Sequence, residues 1–536
     1  MSVDLQDGQY SPAARTRLRD EENIQLAPLQ SSRDDAGAGE NGSLSNEGVN
    51  EISEPQDEGE QRLTFFTVKL VTVAAISGLL FGYDTSAISG ALVNIQDDLG
   101  ALSDWQKEQI TSSTTLGALI GGLGSGALSD YTGRKPLIGI ASALFILGAV
   151  QQAWSGSVWS MCLGRLIVGL GVGQASCIVP LYIGELGPSR LRGRLVTVNC
   201  VMITLGQVIA YLIGMIYQYT PGGWRWMLGL GAIPAMIQLF SLAVLPESPR
   251  YLLLQSRRTE ARAVLVKIYP YADDEQVDAR LSLMMAGVRQ STVLAQSSTW
   301  LNRLRSLLNE GPNRRALVIG SGLQAFQQLT GINTALYYSA TLFASLGFRN
   351  AIGVGCVVAL ANFAFTLVAL RLVDSLGRRK TMLYSLSGMA SGLILMAAFF
   401  HYLPTRGDSQ PSTDSSSFAP GLIVAAMLIY VSFYAIGMGN IPWQQGELFR
   451  LDVRGLGTSI CTATNWSCNL LVAATFLSLL RVATPSGAFI LYAVICLVGW
   501  TFCLLLYPET SGLSLEEVYE LFKDDFGVQQ KSRSLP

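Results

Sequence analysis

The chain has 536 residues, of which 49% are hydrophobic and only 14% charged, with a formal net charge of −2 and a mean hydropathy of +0.35. So apolar a composition in so long a chain argues against a single soluble domain and for segments that live in a bilayer. No nucleic acid, metal or cofactor is expected as a partner.

Residues 1–62 are rich in Ser, Gly, Asp and Glu, carry more acid than base, and show neither helical nor strand periodicity. They read as a disordered acidic tail, solvated or open to phosphorylation, with no cleavable signal peptide. Apolar runs of membrane-crossing length then recur at 65–93, 110–128, 136–154, 158–181, 195–217 and 224–245. After a polar interval they return at 316–343, 351–373, 382–402, 420–443, 457–480 and 488–507, giving about twelve spans in two sixes. Within the interval, 258–268 and 277–288 carry amphipathic helical patterns and predict a helical bundle between the halves. The expected organisation is a tail (1–62), a first six-helix half (63–246), a helical linker (247–315), a second half (316–508) and a short tail (509–536).

Arg134, Lys135, Arg190, Arg192, Arg194, the basic stretch 250–315, residues 378–380, Arg450 and Arg454 fall on one side of the spans. The opposite loops hold Asp97, Asp98, Asp104, Arg349, Asp408 and Asp414. Cytoplasmic loops retain positive charge, so an even number of spans places both termini in the cytoplasm. All eight cysteines, from Cys162 to Cys503, lie within spans and read as packing residues. His401 ends a span and reads as interfacial. The sequons at Asn41 and Asn465 fall in the tail and in a span, where glycosylation is not expected. No G-x-x-x-x-G-K-[ST] stretch is present, which disfavours ATP-driven pumping; the glycines of 117–126 and 169–173 read as helix-packing contacts.

The two sixes are copies of one pattern. Asp130-Tyr-Thr-Gly133-Arg134-Lys135 answers Asp374-Ser-Leu-Gly377-Arg378-Arg379, and Pro246-Glu247-Ser248 answers Pro508-Glu509-Thr510. Glu185 precedes Arg192 by seven positions, as Glu447 precedes Arg454, and 53 positions separate Gly193 from Pro246 and Gly455 from Pro508. Duplicated six-helix halves are the architecture of alternating access around a central site. In that scheme Arg134, Glu185, Arg192 and Glu247, with Arg378, Glu447, Arg454 and Glu509, are candidates for a cytoplasmic lock. As exposed pairs worth about 0–1 kcal/mol each, they would reopen easily.

Two ionisable residues lie deep in apolar runs, where charge is expensive and points to function. Asp84 in the first span and Arg165 in the fourth are both about 12–15 Å from the same end by helical rise, so they can meet. A carboxylate balanced between desolvation and a guanidinium becomes sensitive to the proton activity of whichever side is open, with a static ion pair as the alternative. Gln207, Gln327, Gln328, Asn333, Asn362 and Asn465 fall near the middle of their spans. Carboxamides both donate and accept, which suits a ligand studded with hydroxyls, and Trp443 offers a face for its C–H surface. Gly331 interrupts the seventh span; Gly437, Gly439 and Pro442 interrupt the tenth. Breaks at matching places point to the site and its gates, with Gly439, Pro442, Tyr337 and Tyr338 as gating candidates.

Over residues 65–523 these motifs, together with Pro180-Leu-Tyr-Ile-Gly-Glu185 and Pro246-Glu-Ser-Pro-Arg250, resemble the sugar porter family of the major facilitator superfamily. Within it, Asn440-Ile-Pro442-Trp443-Gln444, Thr464-Asn465-Trp466 and Phe476-Leu-Ser-Leu479 are most similar to the fungal myo-inositol/proton symporters. The resemblance implies an all-α membrane protein of the major facilitator fold. It also implies a proton-coupling pair at Asp84 and Arg165, and substrate contacts at Gln207, Gln327, Gln328, Asn333, Trp443 and Asn465. Ser86-Ala87 stands where the family has Gly-Val, Ser511 where it has Lys, and Asn465 where some members have Gln. The function expected is import of myo-inositol with a proton by a plasma-membrane carrier acting as a monomer. The alternatives are a hexose or pentose carrier, coupled or not, and a sugar sensor that binds without transport.

Overall fold

A computed structural model describes residues 64–188, 191–297, 300–402, 419–450, 453–511, 513 and 515–528. The acidic tail lies outside them, as do the side chains of Asp130, Arg192 and Asp374. All regular structure among the described residues is helical.

The first half comprises Phe65–Asn94, Asp104–Thr132, Arg134–Ala153, Val158–Leu186, Arg192–Tyr217 and Gly223–Val244. Side-chain caps explain several of these starts, because the first turn of a helix leaves N–H groups without partners. Thr64 accepts from the Thr67 N–H, Ser157 from that of Ser160, and Ser103 forms a reciprocal capping box with Gln106. That box starts the second helix at Asp104, six residues before the apolar run that predicted it. The second and fourth spans touch through glycines: a Cβ on Gly117 or Gly121 would fall 2.3 Å from the carbonyl oxygen of Leu166 or Leu170. In return, one on Gly169 or Gly173 would fall 2.1 Å from that of Thr114 or Ala118. The glycine stripes are therefore packing surfaces, as expected.

In the second half the seventh span is broken into Gly311–Leu329, Ile332–Tyr337 and Ser339–Ser345. Ala351–Leu376 and Arg378–Tyr402 follow, then Ala419–Ile436, which continues as the 3-10 segment Ile441–Leu448. The helix Arg454–Leu506 contains two spans parted at Thr484, whose φ of 61° and ψ of 160° precede Pro485. Nine helices among the described residues are long and apolar enough to cross a membrane. The last of these holds two spans. The second span, polar in its first turns, and the broken seventh are not among the nine, and with them the count reaches the expected twelve.

Between the halves run Pro249–Leu254, Arg258–Ile268, Asp274–Ser297 and Trp300–Asn309. Val264, Leu265, Ile268, Val277 and Leu281 bury their apolar faces with Leu70, Ile178 and Tyr182, so Arg258–Ile268 and Asp274–Ser297 dock at the ends of the first and fourth spans, whereas Trp300–Asn309 packs against Gly311–Leu329.

The two ends of the molecule differ in how the halves meet. At the end whose loops carry the acids, here the acidic face, Asp104 of the second span pairs with Arg481 of the eleventh. Ser89 and Ser339 lie 3.2 Å apart there, and the Tyr211 hydroxyl donates to the Leu336 carbonyl at 2.9 Å. Toward the opposite, basic face a cavity with roughly 450 Å³ of atom-free space, partly continuous with solvent, separates Trp443 from the first, fourth and fifth spans.

Candidate functional site

Asp84 and Arg165 meet fork to fork. Arg165 donates from Nη1 to Asp84 Oδ1 and from Nη2 to Oδ2, both at 3.3 Å. Asp84 is 6% exposed and Arg165 0%, so the pair is sealed within the first half. Two parallel bonds supply the geometry that a buried ion pair needs to offset its desolvation. They leave Arg165 Nε without a partner. Protonating the carboxylate would remove its charge and release the guanidinium, and the second half lies close enough to register this. The short helix Ile332–Tyr337 of the second half packs against the first span, and Tyr337 is buried in one apolar cluster with Tyr83, the residue before Asp84. Ser86 and Ala87, the departures from the family pattern, are buried beside Asp84, and the Ser86 hydroxyl has no hydrogen-bond partner.

Four of the six amides, Gln327, Gln328, Asn333 and Asn465, form with Gln324 one connected network, the amide ring, rather than isolated contacts. Asn465 donates to Gln324 Oε1 at 2.6 Å and to Gln327 Oε1 at 2.8 Å, and accepts from Gln328 at 3.2 Å. Asn333 donates to Gln328 at 2.6 Å. Gln327 and Gln324 also reach the tenth-span break, donating to the carbonyls of Met438 at 2.8 Å and Pro442 at 3.0 Å. Carbonyls freed by the break thus find partners inside the protein, the condition for irregular backbone at membrane depth. Gln207 and Asn362 form a separate pair: Asn362 donates to Gln207 at 2.8 Å across the two halves, and its own Oδ1 is unpartnered. Trp443 is half-buried on the cavity wall, opposite Phe81, Ser176 and Asn199. Such a ring can exchange its internal hydrogen bonds for those of a hydroxylated ligand, group for group.

Both breaks fall where the glycines predicted. Gly331 has φ 89°, and Gly439 donates its N–H to the Tyr434 carbonyl at 2.8 Å. Tyr337 and Tyr338 are buried just beyond the first break, and the Tyr338 hydroxyl donates to the Ala473 carbonyl at 3.1 Å.

The lock candidates differ from expectation in two respects. Arg134 and Glu185 pair at 3.2 Å with side chains only 5% and 7% exposed, so this is no weak surface contact. Arg378 pairs with Glu447 nearer the surface, with side chains 16% and 37% exposed. These described pairs also join helices of the same half. Glu247 accepts the N–H groups of Arg134 at 3.1 Å and Lys135 at 3.2 Å, and so caps the third span. Glu509 does the same for Arg378 at 2.8 Å and Arg379 at 3.1 Å, capping the ninth. Gly133 and Gly377 stand at φ 94° and 84°, and a Cβ on either would fall 2.5 Å from the capping carboxylate, so both positions require glycine. Arg454 lies against Gly446 of its own half. The Arg192 side chain is outside the described residues.

Gln324, Gln445 and Asn469 belong to this region and escaped the sequence reading. Gln324 precedes Gln327 by three positions, and Gln445 accepts from it at 2.9 Å. Asn469 lies one turn beyond Asn465, is 1% exposed, and completes a hydrogen bond with neither end of its carboxamide. Helical spacing from Gln327 and Asn465 was the available signal.

A profile of the family described as sugar (and other) transporter matches residues 70–522. The chain belongs to this family. Among its relatives, myo-inositol transporter 1 of Cryptococcus neoformans is 59% identical over 479 residues, 89% of this chain and 84% of that one. Myo-inositol transporter 1 of Saccharomyces cerevisiae is 40% identical over 476 residues, 88% of this chain and 81% of that one. The major facilitator proton:xylose symporter XylE, solved bound to 6-bromo-6-deoxy-D-glucose, superposes with a TM-score of 0.72 at 28% identity over 85% of this chain and 99% of its own. The inward open conformation of XylE from E. coli gives a TM-score of 0.67 at 27% identity, with coverage of 85% and 99%. The sugar transporter family and the major facilitator fold read from the motifs are thereby established.

Proposed function

We propose that the protein imports myo-inositol together with protons by alternating access, with Asp84 and Arg165 as the coupling pair. The observation that carries the coupling is the sealed bidentate pair at the centre of the first half, on a span against which the Ile332–Tyr337 helix of the second half packs. Gln207, Gln327, Gln328, Asn333, Asn362, Trp443 and Asn465 hold the polyol, joined by Gln324 and Asn469. Relatives named as myo-inositol transporters support the choice of a cyclic polyol, and a proton symporter of the same fold supports the coupling.

Asp84 takes a proton from outside and loosens Arg165. Substrate then replaces the internal bonds of the amide ring, the halves close over it, and the proton leaves to the cytoplasm. A gradient of about 2 pH units supplies about 2.7 kcal/mol, and a potential of about 100 mV supplies about 2.3 more. Together they concentrate a neutral solute a few thousandfold. On this reading the basic face is cytoplasmic, both termini lie there, and the carrier works as a monomer in the plasma membrane.

The test is uptake of labelled myo-inositol into cells that lack their own carrier, at several pH values, with and without a protonophore. Accumulation should rise at acid external pH and collapse with the protonophore, while Asp84→Asn should exchange substrate without accumulating it. Protonophore-sensitive accumulation by Asp84→Asn defeats the coupling assignment. A preference for xylose or glucose in competition assigns a hexose or pentose substrate instead.

A further inference from the structure

A second carboxylate is buried between the halves. Glu108, in the second turn of the second span, is 1% exposed, less than Asp84. Its Oε1 accepts the backbone N–H of Ser478 at 2.7 Å, and its Oε2 accepts the Ser478 hydroxyl at 2.8 Å. Ser478 belongs to the eleventh span, so both bonds cross from one six-helix half to the other. A carboxylate in so dry a place is costly unless donors fill its lone pairs. Here one of them is a main-chain N–H, a donor that a helix ordinarily commits to the carbonyl four residues back.

The surroundings form a graded seam. One turn nearer the acidic face, Asp104 pairs with Arg481, whose side chain is 74% exposed. Deeper in, the Tyr338 ring stacks on Phe476 with centroids 5.4 Å apart, and its hydroxyl holds the Ala473 carbonyl. The stretch Phe476-Leu-Ser-Leu479, to which the transport reading assigns no role, is thus where the second span and the broken seventh span both attach. The Glu108 contact exists only while the halves meet at this face. Once they part, carboxylate, N–H and hydroxyl all return to water, where each is satisfied.

We propose that Glu108 and Ser478 are the latch of the gate at the acidic face, positioning residues that set what fraction of carriers rests closed there. The proposal depends on the alternating-access reading above, with the acidic face turned outward. The latch holds without trapping, because its bonds exchange for equivalent ones with water.

The test uses a reporter cysteine at Thr111, a buried residue three positions farther along the same helix. Thr111→Cys in intact cells is labelled with a membrane-impermeant maleimide, with the unmodified chain as the blank for its own cysteines. Adding Glu108→Ala should raise the labelling rate roughly tenfold, since lost latch energy moves population toward the open state. Uptake by the same variant should show a lower KM and a lower maximal rate. Ser478→Ala should act in the same direction but less, keeping its N–H, and the double variant should add little to Glu108→Ala. The isosteric Glu108→Gln, which preserves packing, should fall between. Unchanged labelling and an unchanged split of KM and maximal rate in Glu108→Gln and Glu108→Ala, while the parent transports, overturn the latch and leave the transport reading standing. Absence of transport by the parent defeats that reading itself. Faster labelling only from the cytoplasmic side overturns the assignment of the latch to the outer gate.

Discussion

Replacing Arg165 with Leu removes both 3.3 Å bonds to Asp84 and leaves a carboxylate sealed in the first half. Two routes give the size of the penalty. Deleting one partner of a buried pair costs about 3–5 kcal/mol when the other stays charged. The alternative is to protonate the stranded acid, which for an ordinary carboxyl with a pKa of about 3.9 costs about 4 kcal/mol at pH 7. The estimates agree, so Arg165→Leu should lose about 4 kcal/mol at neutral pH. Each pH unit downward makes protonation cheaper by about 1.4 kcal/mol, so the deficit should shrink to about 1–2 kcal/mol near pH 5. Adding Asp84→Asn removes the charge itself and should recover most of the loss at every pH, because neutral replacements of a buried pair are often tolerated. Denaturation of the purified protein in detergent, for the parent, both single variants and the double variant at pH 7 and pH 5, reads these differences. A double variant no more stable than Arg165→Leu, or a deficit that ignores pH, would refute the reasoning.

Gly133→Ala and Gly377→Ala should each destabilise by roughly 1–3 kcal/mol, from a left-handed backbone and a Cβ 2.5 Å from the capping carboxylate, whereas Gly124→Ala, with nothing within 4 Å, should be near neutral. Thermal denaturation in detergent checks the set, and equal effects at all three positions would remove the case for the caps. Burial holds the Glu247 carboxyl above its ordinary 4.5, while the N–H groups of Ser248, Lys135 and Arg134 pull the other way. A folded-state pKa that is raised contributes stability below the unfolded value, and that contribution is lost as pH rises through the raised one. Glu247→Gln, which mimics the protonated acid, should therefore match the parent near pH 4.5 and gain on it toward neutral pH; a gap that widens on acidification would contradict this.

Residues whose chemistry is out of place were easy to find. Asp84 and Arg165 are conspicuous in apolar runs, and counting helical rise from one end was enough to pair them. Gly331 and Pro442 announced the two breaks because each alters the backbone itself. Glu108 was invisible for the opposite reason. It lies among Asp104, Gln106, Lys107 and Gln109, where charge reads as the solvated end of a helix, and the apolar run begins only at Ile110. Its burial comes from the eleventh span, some 370 residues away in sequence, closing over it. The lock candidates show the same limit: spacing identified Glu247 and Glu509 as equivalent, yet only packing shows that each caps a helix of its own half.

That last point bears on how coupling reaches across the molecule. The described pairs at the basic face, Arg134 with Glu185 and Arg378 with Glu447, together with the two glutamate caps, hold each half together internally and need not break when the halves rock. The polar contacts described between the halves include Glu108 with Ser478, Asp104 with Arg481, Ser89 and Tyr211 with the seventh span, Gln207 with Asn362, and the Trp466 indole N–H with the Ser176 hydroxyl. Each neutral bond among them is worth about 0.5–1.5 kcal/mol net and has a water or ligand equivalent, so none of these alone prevents rocking. Asp84 and Arg165, however, both belong to the first half, and their protonation state alone cannot favour one arrangement of the halves. A ligand or proton shifts such an equilibrium only through contacts that differ between its states. The first span, which carries Asp84, packs against the short helix Ile332–Tyr337, and that helix also carries Asn333 of the amide network, so under the proposed function a proton on Asp84 and a polyol among the amides would act on one element.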